Sequence, residues 1–101
     1  MVVEFSMIPM GKGIGMSGEL AKVMRLVDDS GIDYRLGPMC TVLEGEWGPV
    51  MDLIRRCHQR LRASSPRVLT TIKVDDRRGA SRRIVGKVAS VVRKAKRRLK
   101  C

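Results

Sequence analysis

The stretch RVLTTIKVDDRRG, residues 67–79, divides the chain into two parts with different properties. Its first half is rich in Val, Ile and Thr, which are typical of a half-buried β-strand. Its second half passes from Asp75-Asp76 to Arg77-Arg78 within four residues and stops at Gly79. The stretch therefore predicts a strand that completes a folded body, followed by a boundary and a distinct C-terminal segment.

Charge is distributed unevenly across this boundary. All ten acidic residues lie at or before Asp76, together with ten of the 21 basic residues, so residues 1–76 are neutral. The other eleven basic residues fall in 77–101, where there is no acid. The net charge of +11 thus belongs to the C-terminal segment, and a nucleic-acid partner for the body does not follow from it.

Length and cysteine content limit the class of protein. The 101 residues form one domain at most, and small domains gain from oligomerisation because they bury a smaller share of their surface. Cys40, Cys57 and Cys101 cannot all pair, and no two have metal-ligand spacing, which favours reduced thiols in a cytoplasmic protein without a metal. We expect neither a signal peptide nor a membrane span, because no apolar run approaches ~18 residues.

Alternation and helical spacing predict the element order β-α-β-β-α-β-α. Strands are expected over 2–8, 32–36, 40–45 and the first half of 67–79, and helices from Ser17 to Gly31, over 47–61 and after Gly79, with Pro9 ending the first strand. Two split β-α-β units give a four-stranded antiparallel sheet with two helices on one face, the ferredoxin-like α+β sandwich. We predict such a domain over 1–79 and an additional basic amphipathic C-terminal helix over 80–101.

The apolar residues after Gly79 lie on one face of a helix whose other face is Arg and Lys: Ile84, Val85, Val88, Val91, Val92, Ala95 and Leu99. Three interpretations are open. The segment binds nucleic acid, lies on an anionic membrane, or docks its apolar stripe on the body or a sister subunit. Docking is favoured because the stripe is wide and continuous, and because the segment has no aromatic residue to stack on bases.

Two motifs with possible chemistry have simpler structural interpretations. The glycine-rich loop at 11–15 lies where a phosphate cradle would lie, but its Gly-x-Gly-x-Gly spacing favours a plain connection. Cys57 and His58 are adjacent on a helix and point about 100° apart, so they do not form a nucleophile–base dyad, and a structural histidine is favoured. We therefore predict no catalytic residues and no enzymatic activity.

Polar residues interrupt the predicted strands, namely Glu4, Ser6, Thr41, Thr71 and Lys73. Burying an acid or an ammonium group without a partner is costly, so such groups pair with one another or meet a ligand. The residues alone leave two interpretations open: a Glu–Lys pair on a solvated or subunit-facing sheet surface, and a binding role.

Several segments in a fixed order carry a resemblance: VVEFSMIPMGKG at 2–13, Tyr34 with LGPM at 36–39, EGEW at 44–47, Cys57-His58 and TTIKVDDR at 70–77. Together they resemble the thiamine-binding-protein-like (YkoF-like) family. The resemblance implies a ferredoxin-like sandwich that assembles through its sheets into homodimers or homotetramers. It also implies binding of thiamine or its hydroxymethylpyrimidine portion without catalysis and without a required cofactor.

Carried over by position, the resemblance implies a ligand site formed by Ser6, Met39, Thr41, Glu44, Thr71 and Lys73. Hydroxyl and carboxylate groups suit the ring nitrogens and amino group of an aminopyrimidine, and a thioether can cover its flat face. Cys40 stands where the family usually has glycine, and its side chain would narrow a pocket beside Thr41.

The function predicted from the sequence is therefore that of a cytoplasmic, non-enzymatic small-molecule-binding protein of the thiamine type. Two alternatives remain open: a nucleic-acid-binding module that uses the basic C-terminal helix, and a purely structural protein that forms oligomers.

Overall fold

A computed structural model of the chain describes residues 1–11, 17–79 and 81–101. The strands are β1 (Val2–Met10), β2 (Asp33–Leu36), β3 (Thr41–Glu44) and β4 (Arg67–Asp75), and the helices are α1 (Ser17–Asp29), α2 (Trp47–Arg62) and α3 (Arg83–Ala95). The predicted order of elements and the α+β class are confirmed. The predicted glycine-rich loop falls largely on residues 12–15, outside the described residues.

The four strands form one antiparallel sheet in the order β2-β3-β1-β4. β1 pairs with β4 along its whole length, from Val2 opposite Asp75 to Met10 opposite Arg67. β3 pairs only with the first part of β1, and this pairing ends at Phe5 opposite Thr41. The order is consistent with two split β-α-β units, as the sequence predicts.

β1 is longer than predicted, because Pro9 does not end it and the strand continues to Met10. Proline cannot donate a ladder hydrogen bond, so it is tolerated where a strand lacks a neighbour on one side. Pro9 lies beyond the β3 pairing and is opposite Val68 of β4 alone. The prediction that Pro9 terminates the strand is therefore wrong.

The core lies between one face of the sheet and helices α1 and α2. Alternate residues of β1 point into it, and each helix contributes its apolar stripe, so that the core comprises Val3, Phe5, Met7, Val23, Val27, Leu43, Val50, Leu53, Ile54, Cys57 and Leu61. The opposite face of the sheet, which carries Glu4, Ser6, Thr71 and Lys73, is called the open face below.

Helices α1 and α3 are each followed by a residue in a left-handed backbone conformation. Gly31 follows α1 with a φ of 75°, which confirms the predicted glycine cap. α3 ends at Ala95 because Lys96 takes a left-handed conformation with φ 55°, so Leu99 lies beyond the helix. None of the helices in the described ranges is long and apolar enough to cross a bilayer.

Leu53→Ala tests the position of the core. Leu53 is fully buried on α2, so we expect its truncation to lower the free energy of unfolding by about 2–5 kcal/mol through lost burial and a residual cavity. Leu36→Ala is the matched control, because Leu36 is 66% exposed and its truncation should change stability little. Equal losses in urea unfolding would contradict the assignment of α2 to the core.

Candidate functional site

A cavity of about 120 Å³ lies between α1 and the connection from β2 to β3, and is called the Thr41 cavity. It brings together three of the six predicted ligand residues, Ser6, Met39 and Thr41. Its remaining lining includes apolar side chains of α1 and the thiol-bearing residue of the connection, namely Leu20, Met24 and Cys40. Cys40 thus lies beside Thr41, where the sequence predicts that it narrows the pocket.

Thr41 is the buried polar residue of this cavity. It begins β3, lies opposite Phe5 of β1, and is only 6% exposed. Its hydroxyl donates a hydrogen bond to the Met24 sulfur across 3.6 Å. A thioether is a weak acceptor, so a ring nitrogen can replace it as the acceptor at little cost. Met39, by contrast, is 86% exposed and lies at the mouth.

Thr71 and Lys73 lie outside this cavity, on the open face. The β1–β4 register places Thr71 opposite Ser6 and Lys73 opposite Glu4. Ion pairs among the described residues do not include one between Glu4 and Lys73. The Glu–Lys pair left open by the sequence is therefore not formed. Glu4 acts instead on Cys40: burial raises the pKa of the Cys40 thiol, and the charge of Glu4 and its hydrogen bond with that thiol raise it further.

Glu44 is bound to α3 rather than to the Thr41 cavity. Its two carboxylate oxygens accept the backbone N–H groups of Arg83, at 2.6 Å, and of Ile84, at 3.1 Å. Arg82, the residue before α3, has a left-handed conformation and supplies no side-chain cap of its own. Glu44 therefore caps α3 from 39 positions away, where a negative charge also complements the helix dipole.

The environment of Glu44 lowers its pKa. Partial burial acts in the opposite direction, but the N–H groups of Arg83 and Ile84 favour the carboxylate, and so do the charges of the N-terminal ammonium and of Arg83.

A second cavity, of about 560 Å³, opens beside Glu44 between β2 and the start of α3, and its lining includes Asp33, Arg35 and Val85.

Polar contacts hold α3 at the sheet. Lys87 donates a hydrogen bond to Asp75 at the end of β4, in addition to the Glu44 cap. No described residue of α3 is buried, and Val85, Val88 and Val91 are 58%, 43% and 59% exposed. The single chain therefore leaves much of the apolar stripe of α3 exposed, although Ile84 and Val92 are half-buried.

Cys57 and His58 do not form a catalytic pair. Burial raises the pKa of the Cys57 thiol to about 11, and its sulfur points to the Val23 carbonyl at 4.0 Å. The Nδ1 atom of His58 lies 2.6 Å from the Thr70 hydroxyl of β4. The structural interpretation of the histidine is supported. Nor do the described residues contain a group of three His, Cys, Asp or Glu side chains placed to hold a metal ion.

Sequence reasoning missed two kinds of residue at these sites. Leu20 and Met24 lie on the apolar stripe of α1, and helical spacing alone does not separate core positions from cavity positions. The link from Glu44 to α3 was also missed. The sequence indicates this link only by an absence: no acidic residue lies near Arg83 in the basic segment, so a cap on α3 by a carboxylate has to come from elsewhere in the chain.

The fold places this chain among α+β proteins built on a four-stranded antiparallel sheet. The sequence profile of the thiamine-binding protein family matches residues 3–92, and the chain belongs to that family.

Individual relatives agree with this assignment. A UPF0045 protein of Mycobacterium bovis is 39% identical over 93 residues, which cover 91% of each chain. A hypothetical protein of Methanocaldococcus jannaschii superposes with a TM-score of 0.83 at 27% identity, covering 89% of this chain and 93% of that one. A Thermotoga maritima protein with a proposed role in thiamine biosynthesis or salvage superposes with a TM-score of 0.79 at 21% identity, covering 89% and 96%.

Glu44→Ala tests the cap on α3. Loss of the two acceptors should lower stability by about 0.5–2 kcal/mol and speed amide hydrogen exchange at Arg83 and Ile84. Because the folded-state pKa of Glu44 is lowered, the native contact is complete above the ordinary carboxyl pKa and is lost as the pH falls through the folded pKa. Glu46→Ala is the control, because Glu46 precedes α2 without a side-chain cap bond. Unchanged exchange in Glu44→Ala would refute the cap.

Proposed function

We propose that this chain is a non-enzymatic, ferredoxin-like binding protein whose ligand is thiamine or its hydroxymethylpyrimidine portion. The observation that carries the proposal is the Thr41 cavity, which joins Ser6, Met39 and Thr41 in a member of the thiamine-binding protein family. The role proposed for the T. maritima protein of similar fold agrees with this ligand class. A cytoplasmic location belongs to the same proposal.

The dimensions of the cavity favour the pyrimidine ring as the part that enters. Sites for whole drug-sized ligands occupy about 300–1,000 Å³, whereas the Thr41 cavity has about 120 Å³. We assign a ring nitrogen or the amino group to the Thr41 hydroxyl, and one flat face of the ring to Met39. Ser6 lines the cavity, while its side chain lies with that of Thr71 on the open face. Leu20 and Met24 supply the apolar floor.

The other three predicted ligand residues take different roles in this proposal. Thr71 neighbours Ser6 on the open face, so it meets the part of the ligand that extends out of the cavity, with Lys73 one step further along β4. Glu44 does not contact the ring, because its carboxylate is occupied by the N–H groups of Arg83 and Ile84.

A thermal-shift titration tests the proposed ligand. Thiamine and hydroxymethylpyrimidine at millimolar concentration should each raise the melting temperature of the wild-type chain, since a ligand that binds only the folded state stabilises it. In Thr41→Val, which keeps shape but removes the hydroxyl, the apparent Kd should rise about tenfold through one lost hydrogen bond.

Thr70→Val provides the matched control for this titration. Thr70 contacts His58 and does not line the Thr41 cavity, so its hydroxyl can be removed without touching the proposed site. The control should keep the full ligand-induced shift, whatever its own melting temperature. Absence of a shift with both compounds in the wild-type chain would overturn the proposed function.

We further propose that the chain works as a homodimer or homotetramer. The largely exposed stripe of α3 supports this, together with Ile8, Met10 and Leu69 on the open face, which are exposed in the single chain. Contiguous apolar surface of this kind marks an interface on a soluble protein.

Val91→Asp tests the assembly surface. A charge within the α3 stripe should shift the chain toward the monomer in light scattering after size-exclusion chromatography, because an unpaired carboxylate is costly to bury. Ser90→Asp introduces the same charge about 100° around the helix from Val91, away from the stripe, and should leave the assembly intact. A wild-type chain that is already monomeric at micromolar concentration would contradict this part of the proposal.

A further inference from the structure

We propose that the segment following β4 forms a second binding site, for the phosphate or diphosphate group of a small organic molecule. Arg77, Arg78, Gly79, Ser81 and Arg83 line a cavity of about 320 Å³, called the arginine pocket. Its lining is mostly polar, unlike that of the Thr41 cavity. Three arginines and one serine therefore line the same cavity.

Among the described residues, the arginines of this pocket form no ion pair with a carboxylate. Two nearby carboxylates have other partners, since Glu44 accepts the N–H groups at the start of α3 and Asp75 is paired with Lys87. Asp76, which precedes Arg77 in the sequence, takes part in none of the ion pairs of the described residues. Across the described residues, none of the ion pairs includes Arg77, Arg78 or Arg83. Like charges that line one cavity repel one another, and an anion bound among them would relieve that repulsion.

The chemistry of the lining selects a phosphoryl group among anions. A guanidinium group presents five N–H donors in a planar fork that fits phosphate oxygens two at a time. A phosphate ester carries a charge of about −1.5 to −2 and three strong acceptor oxygens, so it can engage several guanidinium groups at once. The Ser81 hydroxyl adds a donor on the same surface.

The positive charge of the pocket acts on Asp75, the last residue of β4. The pKa of Asp75 is lowered, first by its hydrogen bond with Lys87 and by the charge of that residue, and further by the charges of Arg83 and Arg77. The charges of Arg83 and Arg77 thus both favour the carboxylate form of Asp75, in agreement with their place in the lining of one cavity.

The position of the pocket favours a small ligand over a nucleic acid. The described lining residues of the pocket lie at or before Arg83, whereas the basic cluster at 96–100 lies beyond the 13 residues of α3, roughly 20 Å along the helix axis. Residues 77–101 contain no aromatic side chain on which a base could stack. The pocket is also separate from the Thr41 cavity, with which it shares no lining residue.

Isothermal titration with sodium pyrophosphate at fixed ionic strength tests the site. The wild-type chain should bind pyrophosphate more tightly than inorganic phosphate. Glycerol phosphate, an organic ester, should compete with pyrophosphate for the site. In Arg77→Gln/Arg78→Gln the pyrophosphate Kd should rise at least about tenfold, since charge-assisted hydrogen bonds are lost.

Arg97→Gln/Arg98→Gln is the matched control, because it removes the same charge from the exposed end of the chain. It should bind pyrophosphate as the wild-type chain does. An equal rise of the pyrophosphate Kd in both variants would mean that pyrophosphate responds only to the overall positive charge of the chain, and would overturn the proposal. So would an absence of pyrophosphate binding by the wild-type chain, or binding of a single-stranded oligonucleotide that pyrophosphate does not displace.

A measurement on the unmodified chain covers the case in which the arginine variant fails to fold. Pyrophosphate should shift the backbone amide resonances of Arg77, Arg78 and Ser81, and should leave those of residues 97–100 in place. The opposite pattern would refute the arginine pocket. The thiamine-induced thermal shift should persist in Arg77→Gln/Arg78→Gln, so this proposal and the proposed function can fail separately.

Discussion

The antiparallel pairing of β1 with β4 is the constraint on which the rest of the structure depends. Side chains alternate between the two faces of a strand, so placing Val2 opposite Asp75 fixes the face of every later residue. A slip by one residue would exchange Phe5 and Ser6 between the core and the open face. The register therefore sets the core and, at the same time, places Ser6 beside Thr71 at the border of the Thr41 cavity.

Glu44 links the body to the basic segment. The carboxylate holds the first turn of α3 by two backbone hydrogen bonds, while much of the apolar stripe of that helix remains exposed. Attachment of α3 in the single chain thus relies largely on polar contacts, which salt and acid weaken, because no described residue of α3 is fully buried. The same contact fixes the backbone of Arg83, so it also positions one wall of the arginine pocket.

Local patterns in the sequence predicted the elements well, and contacts between distant residues were where prediction failed. Alternation and helical spacing located all four strands and all three helices. Pro9 is tolerated in β1 because the pairing with β3 ends at Phe5. The residues around Pro9 in the sequence do not indicate where that pairing ends. At the candidate site, the family resemblance named six ligand residues, but only the fold shows which of them lie in the same cavity. Ser6, Met39 and Thr41 share a cavity, whereas Glu44 is occupied by a helix 39 positions away.

The central claim is that the Thr41 cavity, and not the larger cavity beside Glu44, receives the pyrimidine ring. A chemical-shift titration of the isotope-labelled chain with hydroxymethylpyrimidine tests it most directly. We predict that the backbone amides of Ser6, Met39 and Thr41 shift with a common dissociation constant, while those of Arg35, Glu44 and Val85 do not move. Shifts confined to Arg35, Glu44 and Val85 would place the ligand beside α3 and contradict the claim.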